Sequence, residues 1–246
     1  MYPTSYMFTL TGKNSHELST KIYPAIDLDP NSNYELALIG FHTFNSIPNI
    51  EEGENLFFYV DEKNESRGIV IPTGSYEIAD LEKLIQENLL NEYKDLKEID
   101  ASLLFSLKPN NNTLKCEVKS EYFDIDFRSE QSIGRMLGFS SKYLKRGTLY
   151  ESDKLVDIIK VTTINLNCNL VVGCSYDNGN VTHTLFSFSP AVNPGFAINI
   201  EPNNLIYLPV RERRIENIVI SIVDQKSHPV NFRGEEVTVR LELKKV

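Results

Sequence analysis

Val237-Thr238-Val239-Arg240-Leu241-Glu242-Leu243 decides the fold class. Val237, Val239, Leu241 and Leu243 occupy every second position, and Thr238, Arg240 and Glu242 fill the gaps. Successive side chains of a strand point to opposite faces, so this spacing gives one apolar face for a core and one polar face for water. Working back from it, Ile215 to Val223 and Leu205 to Val210 read as strands of the same half. Pro190, Pro194 and Gly195 mark an irregular crossing before them. Tyr176-Asp177-Asn178-Gly179-Asn180 holds an Asn-Gly step, the strongest short hairpin signal, with Val181 to Phe188 as its return strand. Leu155 to Val172 is long for one strand and predicts a break near Asn165.

The first half carries the same period. Tyr6 to Leu10 and Tyr34 to Phe44 read as strands, and Leu56 to Val60 with Gly68 to Ile71 as a hairpin. One helix interrupts them. Ser75 offers an N-cap, and Ile78, Leu81, Ile85 and Leu89 then fall on one face, which predicts an amphipathic helix over 76–93. Leu103 to Leu107 and Thr113 to Lys119 flank the turn residues Pro109 to Asn112, and Phe123, Ile125 and Phe127 alternate with Asp124 and Asp126. Ser129 to Phe139 reads as a short helical segment closed by Gly138. Residues 140–153 are polar and basic, so the expected division is an N-terminal β-sandwich over 1–140 and a C-terminal one over 150–246. Many short strands with turn signals between them imply an all-β chain of sandwiches or barrels.

The chain has 246 residues, of which 41% are hydrophobic and 24% charged, values that support a buried core and exclude a disordered chain. Its net charge of −9 argues against nonspecific nucleic-acid binding. Local basic clusters remain, at Arg211, Arg213 and Arg214 and at Lys142, Lys145 and Arg146. The bland reading of both is a solvated turn, and the first is the candidate for facing nucleic acid. Cys116, Cys168 and Cys174 form an odd, small set, which suggests reduced thiols inside a cell. No basic start followed by an apolar run marks a secretory signal, and no stretch has the apolar length of a membrane span.

Catalytic and metal motifs are not legible. His16, His42, His183 and His228 are too scattered for metal-ligand spacing, and no nucleophile elbow, phosphate loop or dinucleotide fingerprint occurs. Asp124 with Asp126 and Asp27 with Asp29 could each meet a divalent cation, but such pairs are common by chance among 34 acidic residues. The expectation is therefore a protein that is no enzyme, with no cofactor and no metal.

Several segments carry a resemblance. Ile71-Pro72-Thr73-Gly74-Ser75-Tyr76 opens the helix, and Ile133-Gly134-Arg135-Met136-Leu137-Gly138-Phe139 follows the hairpin. Ile206-Tyr207-Leu208-Pro209-Val210 and Asn231-Phe232-Arg233-Gly234-Glu235 precede the terminal strand. In this order they resemble capsid-like proteins of Polinton-type (Maverick) elements and related midsize animal DNA viruses. The resemblance implies jelly-roll β-sandwiches in tandem, a double jelly roll with one amphipathic helix in its first half. It implies a virion protein that self-assembles into homo-oligomeric capsomers, trimers first, beside other capsid proteins. Packaged DNA would meet local basic patches, and the chain would stay inside the host cell before assembly. The large insertions of a major capsid protein are missing, so a minor or vertex role is equally open. The alternative is a monomeric β-sandwich module that recognises a protein or a glycan, and an enzyme on a β scaffold stands third.

Overall fold

The computed structural model describes residues 3–13, 16–93, 98–171, 175–177 and 179–246. Cys174, Val172 and Asn178, which entered the sequence reading, lie outside the described residues. The chain runs through β1 (Ser5–Gly12), β2 (Leu18–Asp27), β3 (Tyr34–Phe44), β4 (Leu56–Val60) and β5 (Ser66–Val70) to α1 (Ile78–Glu92) and α2 (Ala101–Leu104). Next come β6 (Ser106–Asn110), β7 (Lys115–Lys119), β8 (Asp124–Asp126), β9 (Tyr143–Leu144) and β10 (Tyr150–Glu151). The last part holds β11 (Ile164–Cys168), β12 (Ser175–Asp177), β13 (Asn180–Thr182), β14 (Thr184–Phe188) and β15 (Ala197–Ile200), then β16 (Leu208–Val210), β17 (Arg214–Asp224) and β18 (Val237–Lys245). The fold is all-β, and its strand pairings are antiparallel throughout the named sheets.

Two compact units emerge, and they do not follow one another along the chain. Residues 1–47 and 161–246 make the first, and residues 48–160 make the second. This corrects the expected division into 1–140 and 150–246. The polar stretch 140–153 is interior to the second unit, and the chain crosses between units at 47–48 and 160–161. The reason is pairing at long range: Ser5 lies opposite Lys244 and Gly12 opposite Val237, so the first strand and the last are neighbours.

The first unit is a sandwich of two sheets ordered β1-β18-β3-β15 and β14-β11-β17-β2, with β16 extending the first sheet along β3. β15 lies against Phe41 to Phe44 and β16 against Tyr34 to Leu36, end to end on the same strand. The chain alternates between the sheets except from β11 to β14, which pair in one sheet, and with β15 and β16 counted as one strand the order is that of a jelly roll. Val237, Val239, Leu241 and Leu243 face Ile218, Ile220, Ile222, Ile164 and Leu166 in one buried cluster, as the alternation of both segments requires. Each such side chain, taken fully from water, contributes about 1.5–3 kcal/mol.

β3 shows how one strand can break strict alternation. Tyr34, Leu36 and Leu38 are buried at even positions, and Phe41 and Thr43 at odd ones. Opposite β18 the register steps from Gly40 to Leu38 across Ile39, and this extra residue exchanges the faces. β2 has no counterpart in the sequence reading. Leu18 is its one buried residue and Pro24 interrupts it, so it shows no period; an edge strand tolerates both. β15 was likewise not expected, since Ile198 is its one buried residue.

The second unit has sheets ordered β5-β4-β8-β9 and β10-β7-β6, with α1 and α2. Its own core joins Leu81, Ile85 and Leu89 of α1 to Phe57, Tyr59, Leu107, Val118 and Ile125 of the strands. The helix stripe is as the spacing predicts, but its start differs. Asn49 grips Tyr76 from both sides, accepting from its N–H at 3.0 Å and donating to its carbonyl at 2.7 Å, which keeps that residue out of the helix. Glu77 is the N-cap instead of Ser75, and the Asp80 carboxylate accepts its N–H at 3.2 Å. Three further expectations are corrected. Leu103 and Leu104 belong to α2, capped by Asp100, whose carboxylate accepts from Ser102. Residues 129–139 form consecutive turns and no regular helix, because Leu56 draws off two backbone groups, donating to the Gln131 carbonyl and accepting from the Ile133 N–H. Leu155 to Thr163 is irregular, and the break expected near Asn165 is a register shift between Leu166 and Asn167 against β14.

Candidate functional site

The assembly expected from the sequence would act through sheet edges and surface patches, so candidate contacts are sought there. In the first unit β1 and the β15/β16 line bound one sheet, and β14 and β2 bound the other. β2 presents Tyr23, which is 98% exposed. At the end of β3, beside the edge strand β15, Phe44 pairs with Ala197 and is 45% exposed, and the adjacent Phe196 is 64% exposed. Ile206, just before β16, adds further open apolar surface. Apolar side chains of this size held in water at a sheet edge are suited to being covered by another protein surface.

The basic clusters divide. Arg214, on β17, reaches Glu216 at 2.8 Å and Asp27 of β2 at 2.9 Å, and these two carboxylates hold its guanidinium above the usual arginine value. Its charge is spent on tying two strands together. Arg213 donates to the Ser32 carbonyl at 2.8 Å, and Arg211 and Arg213 are both exposed. The three residues therefore share a surface but not a role. The second cluster is structural. Lys145 and Arg146 converge on Asp124, at 3.0 and 3.5 Å, and Lys142 pairs with Asp153. Burial alone would raise the Asp124 carboxyl; the Arg146 N–H, Lys145 and the Tyr143 hydroxyl outweigh it and hold it below the ordinary value.

The carboxylate pairs are also engaged. Asp126 is bridged by Arg128 through two hydrogen bonds of 2.8 and 2.7 Å, and Asp29 by Lys245 at 2.8 Å. Among the described residues no three of His, Cys, Asp and Glu gather to hold a metal. Cys116 and Cys168 are buried free thiols; burial pushes the first up to about 12 and the second to about 11. No helix among the described residues is long and apolar enough to cross a membrane.

A further surface went unnoticed in the sequence. The outer face of the β14-β11-β17-β2 sheet, walled by the β12/β13 hairpin, forms a groove of about 550 Å³. Its one local trace was the alternation of Asn165 and Asn167 with the buried Ile164, Leu166 and Cys168.

No family model and no curated protein matches the chain. Among solved structures it is similar to the crystal structure of the mavirus penton protein, at 15% identity and a TM-score of 0.51, over 99% of this chain and 100% of that one. A likeness at that identity is one of fold, and it takes in the inserted unit as well as the sandwich. From end to end, the chain has the fold of a viral penton protein.

Proposed function

We propose that this chain is a virion structural protein, a capsid subunit that assembles with copies of itself and with other capsid proteins. The observation that carries the reading is the coverage of the likeness: 99% of this chain and 100% of the mavirus penton protein. A shared jelly roll alone would say little, because that sandwich serves many functions. A shared sandwich with a second unit spliced into it at length is a narrower match. The name of that similar protein supports, for this chain, a vertex role with a ring of five, an alternative to the trimer expected from sequence. DNA contact in the finished particle falls to Arg211 and Arg213, which pair with no carboxylate among the described residues, whereas Arg214 pairs with two.

Light scattering after size exclusion, with negative-stain images of each peak, tests the assembly. The expected species has five times the 28.1 kDa mass of the chain and appears as a ring. A monomer at every concentration and salt would overturn the capsid reading, and a stable trimer would overturn the vertex role. Arg211→Glu with Arg213→Glu is expected to lower DNA retention by assembled particles, measured by nuclease protection.

A further inference from the structure

The groove on the outer sheet face has an unusual lining. Among the described residues around it every one except Val223 carries a hydroxyl or a carboxamide, and none of them carries a charge, in a chain that is 24% charged. On its floor Asn165 and Asn167 of β11 stand beside Ser187 and Thr184 of β14, their cross-strand partners. The Asn165 Oδ1 accepts from the Ser187 hydroxyl at 2.7 Å, and its Nδ2 donates to the Asp224 carbonyl at 3.3 Å. The Asn167 Oδ1 accepts from the Thr184 hydroxyl at 2.9 Å, and its Nδ2 has no partner among the described residues. Both carboxamides are thus fixed in orientation, one with a donor left over. On the wall Ser175 donates to the Thr184 carbonyl at 2.8 Å, which fastens the hairpin to the sheet, and Tyr176 beside it is 68% exposed.

We propose that this groove binds an uncharged saccharide. A sugar presents hydroxyls that each donate and accept, and preset carboxamides and hydroxyls match that need without ordering new side chains. The open face of Tyr176 supplies an apolar surface for the C–H face of a pyranose ring. The volume lies within the range of small-ligand sites, about 300–1,000 Å³. An anionic ligand such as a phosphate or a sialic acid finds no cation among the described lining residues, and a lipid or aromatic ligand would strip water from the carboxamides without replacing their hydrogen bonds. The site is independent of assembly, since one copy of the first unit supplies all of it.

Saturation-transfer NMR with the methyl glycosides of glucose, galactose, mannose and N-acetylglucosamine, with sialyllactose and a heparin oligosaccharide as charged controls, is the test. At least one neutral glycoside should bind, and Tyr176→Ala and Asn167→Ala should each weaken it about tenfold, the loss of about one hydrogen bond or one stacking contact. The open position of Tyr176 keeps its variant foldable, so the test survives if Asn167→Ala is unstable. No binding of any neutral glycoside, tighter binding of the charged controls, or equal binding by wild type and Tyr176→Ala would overturn the proposal. So would variants that bind no sugar differently but lose oligomer mass, which would place a subunit contact in the groove.

Discussion

Asp29 shows how a single side chain can report on folding. Lys245 is the main cause of its low pKa, about 2, helped by the Asn31 N–H and the Ser32 hydroxyl. Asp153 is held at about 2 in the same way, first by Lys142 and then by the Ser140 N–H. A carboxyl depressed in the folded state binds protons more weakly there than in the unfolded chain. Its contribution is complete above the ordinary value of 3.8 and disappears as pH falls towards about 2. Melting temperature should therefore fall steeply across that window, and Asp29→Asn with Asp153→Asn should flatten the fall while lowering the value at pH 7. Calorimetry at a series of pH values checks it. The two buried thiols give a second expectation. Cys116 and Cys168 should resist alkylation in the native protein and react once it is denatured, as peptide mapping by mass spectrometry would show. Their burial followed from apolar neighbours in sequence. The ion pair of Asp29 could not be read there, because its partner lies 216 positions away.

Among the elements, legibility followed burial. β18 and β17 from Ile218 onward are central strands with one face on the core, so their period of two is unbroken there; before Ile218 a register shift against β2 interrupts it. β2 and β15 lie at edges with one buried side chain each, and they left no period to find. The stretch over 129–139 had the right apolar residues, Ile133, Met136, Leu137 and Phe139 all being buried, but its geometry is set by partners elsewhere. Gly138 is the sharpest of these constraints. Its φ is +82°, and a Cβ there would stand 2.3 Å from the Lys154 carbonyl oxygen. Gly138→Ala should destabilise the second unit by about 1–3 kcal/mol for the backbone conformation alone, with the collision adding to it. Leu241→Ala, in the middle of the first core, should cost about 2–5 kcal/mol. Urea unfolding of each variant measures both.

For the whole molecule, the sequence announced two strand-rich parts but not that one is inserted into the other, because nothing local reveals that Ser5 will meet Lys244. Periodicity records which face a residue takes and is silent on which strand lies beside it. The groove was hidden for the same reason: β11, β14 and β17 build its floor from three separate stretches of chain. Since residues 48–160 own a separate core, that segment expressed alone should fold and melt cooperatively, which circular dichroism would show. The seating of β18 between β1 and β3 has a consequence in time. A chain emerging from the ribosome meets its strands in order, and the inserted unit is complete while the sandwich still lacks its middle strand. Until Val237 to Lys245 has been made, β1 has no neighbour to pair with and the sandwich cannot close. An unfinished chain therefore displays no finished sandwich to its neighbours, and synthesis itself times when the first unit becomes competent for any contact that needs it whole.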